Sequence, residues 1–187
     1  MAVHERIRKL THDDYLGLPD DGQRHEIIDG EHYVTPAPTP RHQIVSIELG
    51  SRLYPFVKSH GLGLVLAAPS DVLFSKHDIV QPDLLFISKQ RLGILKHKNV
   101  QGSPELVIEI LSEGTRRLDE TIKLDLYERS GVLEYWIFDP FGKKTRVLRR
   151  MGEQLLQVTE LSAEAGDVLT SPLLPGLEIP LAEVFPW

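Results

Sequence analysis

The run LVIEIL at residues 106–111 is the stretch that most limits what this chain can fold into. Five of its six residues are large and aliphatic, so no alternation marks an inside and an outside. A strand of that kind is buried on both faces, as at the centre of a mixed or parallel sheet. Glu109 interrupts the run. An ionised carboxylate there needs a cation, a metal or several donors beside it, because an unpaired buried charge neutralises or destabilises its surroundings.

The residues that follow predict a strand–helix–strand unit. Ser112, Gly114 and Thr115 form a turn whose hydroxyls can cap a helix over 116–130, stopped by Gly131. Leu118, Ile122 and Leu126 recur every four residues as the stripe that docks on the sheet. Asp119, Lys123 and Tyr127 have the same spacing one position along, a polar line at the edge of that stripe. From there Lys123 can lean back towards the strand. EYWIFD at 134–139 is the next strand, ended by Pro140.

Upstream, Thr11 opens a short helix over 11–18, followed by Pro19 and an Asp20-Asp21-Gly22 turn. Strands at 24–28 and 31–34 flank Asp29-Gly30, a strong hairpin signal, and Glu26 lies on the first of them. Pro36, Pro38 and Pro40 lead into a long helix over 41–60, with Ile44, Ile47, Leu49 and Leu53 as buried candidates and Pro55 as a kink or an early stop. Strands are expected at 63–67, 71–74 and 83–88, with Asp83 at the mouth of the last, after Pro82. The stretch containing GILKHKNVQG reads as loop. Strands at 145–150 and 155–159 pair across Gly152, and the tail over 167–187 reads as short strands and turns covering the core.

The 187 residues suit one domain, 1–187, with 41% hydrophobic and 26% charged residues, the composition of a globular protein. There is no cysteine, hence no disulfide and no thiolate zinc site. Residues 1–10 include His4, Glu5, Arg6, Arg8 and Lys9 and lack the apolar core of a signal peptide, and no run approaches a membrane span, so a cytoplasmic location is expected. The formal charge of −6, taken alone, argues against many phosphate contacts. Locally, KKTRVLRR gathers Lys143, Lys144, Arg146, Arg149 and Arg150, either the solvated face of a hairpin or a phosphate track. Lys89, Arg91, Lys96 and Lys98 surround the loop after Asp83. The eight histidines show neither HxH nor HExxH spacing and are read as surface or loop residues rather than a zinc site. No Walker loop, GxGxxG or GxSxG is present, so neither a nucleotide cofactor nor serine hydrolysis has support, and no helix-turn-helix or zinc finger stands out.

The carboxylates suggest a chemistry of their own. A phosphodiester repels nucleophiles and has a poor leaving group, so its hydrolysis at neutral pH usually uses a divalent cation. Mg²⁺ takes one or two carboxylates and keeps several waters, which Asp83 and Glu109 could offer if their strands are adjacent. A neighbouring lysine can orient the attacking water or offset charge on the phosphate, and Lys123 is the candidate.

ELVIEILS, the Thr115-Arg116-Arg117-x-Asp119 helix start with Lys123 and Tyr127, and SGVLEYWIFDP together resemble the Uma-two family of restriction endonucleases, within the PD-(D/E)XK nuclease superfamily. RHEIIDGEHY and QPDLLFIS extend the resemblance over most of residues 10–185. It implies an α/β (α+β) fold, a restriction-endonuclease-like mixed central sheet flanked by the 41–60 and 116–130 helices, with extra N- and C-terminal hairpins. It implies a bacterial Mg²⁺- or Mn²⁺-dependent endonuclease acting on DNA, working as a homodimer that addresses both strands. In the superfamily pattern Pro82 and Asp83 supply the first strand and Glu109 the second, but Leu111 occupies the lysine position. The resemblance then implies that Lys123, from the helix, takes the lysine's place, and that Glu26 is the N-terminal acidic residue. The implied catalytic set is Asp83, Glu109, Lys123 and Glu26, with Asp83, Glu109 and Glu26 as metal ligands. Gln81, Asp119 and Tyr127 would support them, and Lys143, Lys144 and Arg146 would meet nucleic acid.

Each residue also has a plain structural reading. Asp83 suits a turn cap, Glu109 an ion pair with Lys123, Glu26 an ordinary hairpin position, and Lys123 with Asp119 a surface pair. Two other functions fit: an inactive nuclease-fold module that binds nucleic acid or protein, favoured by the acidic charge and displaced lysine, and a metal-dependent hydrolase of small phosphoesters.

Overall fold

In the computed structural model, which describes residues 8–187, the aliphatic run is a strand, Leu106–Ile110, with every residue buried. In chain order the first half holds α1 (His12–Tyr15), β1 (Arg24–Ile28), β2 (Glu31–Thr35), α2 (Pro40–Ser59), β3 (Gly63–Ala67), β4 (Val72–Ser75), β5 (Asp78–Val80) and β6 (Leu84–Ser88). After a 3₁₀ turn at Lys89–Ile94 come β7 (Val100–Gln101), β8 (Leu106–Ile110), a π-helical turn at Leu118–Ile122 and α3 (Lys123–Arg129). The chain closes with β9 (Glu134–Asp139), β10 (Lys144–Met151), β11 (Gln154–Ser162), β12 (Val168–Leu169), β13 (Ile179–Pro180) and α4 (Leu181–Val184).

Among the described residues the larger sheet has six strands in the order β11-β10-β9-β8-β6-β3. Strand β8 sits inside it, parallel to β9 and antiparallel to β6, as a doubly buried aliphatic run requires. Alternation then divides its side chains between two cores. Leu106, Ile108 and Ile110 face Val45, Leu49, Leu53 and Val57 of α2 and the tail residues Leu177, Ile179 and Val184. Val107 faces the other way, onto Leu126 and Tyr127 of α3. Ile28, Val72, Val80 and Val100 of a second, five-stranded sheet, β2-β1-β5-β4-β7, complete that second core. Glu109 has the parity of Val107 and so points into the space between the sheets. At about 1.5–3 kcal/mol per fully buried aliphatic side chain, these two cores dominate the stability.

The mixed α/β architecture agrees with expectation, and four details differ. The N-terminal hairpin is no appendage: β1 pairs with β5, a three-residue strand too short to show periodicity, and so joins the second sheet. Residues 100–101, expected in a loop, pair in parallel with β4. Ile44 and Ile47 are exposed, at 38% and 66%, because the stripe facing the sheet is His42, Val45, Leu49, Leu53 and Val57. Pro55 lies on the solvent side of α2 and neither stops nor shortens it. The Asp29-Gly30 turn has positive φ at both residues, 52° and 79°, as a two-residue hairpin turn demands. Leu174, Leu177, Ile179 and Leu181 are buried, so the tail does cover the core. Of the charged opening stretch, residues 1–7 lie outside the described residues.

The phase of α2 is directly testable. Leu49→Ala lowers the unfolding free energy by about 3 kcal/mol, whereas Ile47→Ala changes it by less than about 0.5 kcal/mol. Urea denaturation of the two variants measures the difference, and equal losses would refute this placement of the helix.

Candidate active site

The β6–β8 register pairs Leu84 with Ile108, so one step on, Asp83 stands opposite Glu109 where the chain enters β6. Asp83 is 3% exposed and fully engaged. Its Oδ1 accepts from Arg24 Nη1 at 2.9 Å, and its Oδ2 from the Ile110 N–H at 2.8 Å and from His42 Nε2 at 3.0 Å. Burial would raise its pKa, but the His42 hydrogen bond, the His42 and Arg24 charges and the Ile110 N–H together draw it down to about 2. Arg24 is on β1 and also donates to the Gln81 carbonyl at 3.0 Å. His42 comes from the first turn of α2, and its Nδ1 is buried with no partner.

Behind Asp83 lies the Lys123 ammonium, 2% exposed. It is 3.0 Å from Glu26 Oε1, 3.1 Å from Glu109 Oε1 and 3.5 Å from Asp119 Oδ1. These groups come from β1, β8 and the π turn, so the site is assembled from both sheets and the segment between β8 and α3. Tyr127, one turn beyond Lys123, donates to Glu109 Oε1 at 2.6 Å. Ser112 and Thr115 exchange hydrogen bonds across the turn that starts this segment, at 3.0–3.3 Å. The Tyr135 hydroxyl donates to the Asp119 carbonyl at 3.0 Å, fixing the π turn over the sheet.

Four carboxylates, Asp83, Glu109, Glu26 and Asp119, thus share a buried space with two permanent cations, Arg24 and Lys123. Burial would lower the lysine's pKa, but the surrounding carboxylates raise it far more, so it is an ammonium at all ordinary pH. Burial raises Glu109 to about 8; Lys123 opposes the shift, and Asp119, Asp83 and Glu26 add to it. Burial likewise raises Asp119 to about 6 against the pull of Lys123. The excess negative charge shows in geometry too, since Glu26 Oε2 and Asp119 Oδ1 are buried without a hydrogen-bond partner. Such a set of oxygens fits a hard divalent cation. Among the described residues no three His, Asp or Glu side chains form a ready-made ion cage. Here Lys123, Arg24 and His42 hold the oxygens that a cation would otherwise use. The cavity between Asp83, Glu109, Asp119 and Lys123 measures about 30 Å³, room for one or two waters.

The structure brings together Asp83, Glu109, Lys123, Glu26, Asp119 and Tyr127. Gln81 joins them through its backbone alone. Its N–H donates to Glu26 Oε1 at 2.8 Å, while its side chain turns away to Tyr15 and Asp71. The expected nucleic-acid residues lie elsewhere, on and beside the β10–β11 hairpin, and each has a partner. Lys143 donates to the Trp187 carbonyl at 2.5 Å, Lys144 pairs with Glu160 at 2.8 Å and Arg146 with Glu120 at 2.5 Å. Reading all the histidines as surface or loop residues was wrong for two. His42 is buried against Asp83, and His25, also buried, bonds to His32 and Asp21, each at 3.0 Å. Sequence reasoning also passed over Arg24. Both omissions carried a signal: Arg24 shares a strand face with Glu26 two residues on, and His42 is the polar member of the α2 stripe at positions 45, 49 and 53.

A family model named Uma2 and described as "Putative restriction endonuclease" matches residues 12–182. The fold is similar to a crystal structure described as "a putative nuclease belonging to DUF820" from Anabaena variabilis ATCC 29413. The TM-score is 0.79 at 21% identity, over 95% of this chain and 98% of that one. At that identity the likeness speaks for the fold. No curated protein matches the chain.

The raised Glu109 pKa fixes a sign. The folded state prefers the protonated form, so the stability tied to this group is full below 4.5 and is lost as pH rises through about 8. In metal-free buffer the stability of the wild type therefore falls relative to Glu109→Gln across that window. Paired denaturation curves at several pH values test it, and parallel pH profiles would refute it.

Proposed function

This chain belongs to the Uma2 restriction-endonuclease family, and from that premise we propose that it is a Mg²⁺- or Mn²⁺-dependent endonuclease hydrolysing phosphodiester bonds in cytoplasmic DNA. One observation carries the reading: three carboxylates, Glu26, Glu109 and Asp119, buried around a single ammonium beside the buried Asp83, with Glu26 Oε2 left without a partner. Asp83, Glu109 and Glu26 would hold the ion. When bound, the ion supplies Lewis acidity towards a phosphoryl oxygen and towards water.

The chain's own groups do the rest. Lys123 stands beside the carboxylates as a fixed positive charge, able to offset charge that builds on the phosphate and to orient a water with its N–H groups. Tyr127 donates to Glu109 Oε1, which would leave the other oxygen of Glu109 for the ion. Arg24 and His42 keep Asp83 ionised and aimed. Asp119 holds Lys123 from the helix side. Lys144 and Arg146 would reach a phosphate only by giving up Glu160 and Glu120, so they would bind DNA weakly and in a salt-dependent way. A homodimer would let two such sites act on both strands.

A second reading has its own support. Both oxygens of Asp83 are taken by protein donors and Lys123 fills the space between the other carboxylates, which suits a module that binds DNA without cutting it.

Calorimetric Mg²⁺ titration with a plasmid-nicking assay separates them. The nuclease reading expects metal binding and nicking to be lost together in Glu109→Gln, and nicking to fall about 100-fold or more in Lys123→Ala. DNA binding without metal uptake or cleavage would instead establish the silent module.

A further inference from the structure

The candidate active site opens in two directions. On one side, a polar cleft of about 420 Å³ runs past Asp20, Gln23, Gln43 and Ser46 to Arg24 and Asp83. On the other, an apolar groove of about 710 Å³ passes Pro36, Ala37, Pro40 and Gly114 and ends on Phe141. The narrow cavity over Glu109 and Lys123 lies between the two. It shares Arg24, Pro38, His42 and Asp83 with the cleft, Ser112 with the groove, and Pro36 with both. The three spaces adjoin one another beside the proline-rich β2–α2 connection.

The walls of these spaces discriminate between strand conformations. The carboxylates at its floor are at most 3% exposed, and the space above them is that of one or two waters. A paired strand keeps its bases turned onto its partner and so has nothing to place in an apolar groove. An unpaired strand can lie across the mouth of this narrow cavity and has a free base for the groove. Phe141, on the turn between β9 and β10, leaves 46% of its surface exposed at the groove's end. Base-on-aromatic stacking accepts any base, because every base has a π face. Arg41 stands at the same rim, its guanidinium 5.3 Å from the Trp187 ring centroid, and supplies positive charge for the strand's backbone.

We propose that the substrate is DNA carrying an unpaired stretch, with one base next to the cleaved phosphate stacked on Phe141 in the groove and the strand continuing through the polar cleft past Arg24. This rests on the nuclease reading above and names its substrate class.

The test compares end-labelled DNA oligonucleotides, single-stranded, fully paired and paired with a short gap, incubated with the protein and Mg²⁺. Single-stranded and gapped substrates are cut at least about tenfold faster than the full duplex. Phe141→Ala raises KM on the single strand about tenfold with kcat unchanged, and Phe141→Tyr restores it. An abasic residue beside the cleaved linkage costs the wild type a similar factor and costs Phe141→Ala nothing more. Equal cleavage of duplex and single strand, or an unchanged KM in Phe141→Ala, overturns the proposal while leaving the nuclease reading intact. Faster cutting of single-stranded RNA overturns the assignment to DNA. If nothing is cut, the nuclease reading falls and fluorescence anisotropy decides the groove. Single-strand binding weakened about tenfold by Phe141→Ala upholds it, and equal affinity of wild type and variant discards it.

Discussion

The Lys123 ammonium is the interaction on which the rest depends. Stripped of water, it is held by a carboxylate from each of the two sheets, Glu26 and Glu109, and by Asp119 from its own segment. Among the described residues no other cation pairs with Glu26, Glu109 or Asp119, so the four side chains stand or fall together. Deleting one member of such a buried set leaves charge uncompensated, typically at a cost of about 3–5 kcal/mol. The same contact sets the spacing of the sheets, since β1 reaches the larger sheet's inner face through Glu26. A site of this kind is a structural joint as well as a reactive centre.

The backbone explains why the acids converge. Strand β8 has neighbours on both sides, but the β6 ladder starts at Leu84, opposite Ile108, two residues too late to satisfy the Ile110 N–H. The Asp83 carboxylate takes that donor and is thereby fixed opposite Glu109. Proline at position 82, incapable of donating to a ladder, marks where pairing begins. Arg24 then meets the other oxygen of Asp83, which ties β1 to the same corner.

Much of this was legible in the chain. The double burial of β8 followed from an aliphatic run without alternation, and the helix carrying Lys123 followed from four-residue periodicity. Glu109 was conspicuous because nothing in a core tolerates a lone carboxylate. The second sheet was not legible, because β5 and β7 have three and two residues, too few for any period to register. The phase of α2 was misjudged because Ile44 and Ile47 are as apolar as Val45 and Leu49. Only His42, a polar residue in line with the buried stripe, could have fixed the rotation, and it had been set aside with the other histidines. Arg24 was missed because a partly exposed arginine on a hairpin looks ordinary until Asp83 arrives from fifty-nine residues away.

The π-helical turn at Leu118–Ile122 carries one residue more than an α-helix would use to cover the same path. Asp119 and Lys123, four residues apart across it, face the same point while Leu118 and Leu126 stay against the sheet. Losing one residue between them would change their separation about the axis, at about 100° per helical residue. The segment therefore tolerates an exchange of side chains better than a change of length. Insertions and deletions belong in the loops, where they leave the lysine in line with its acids.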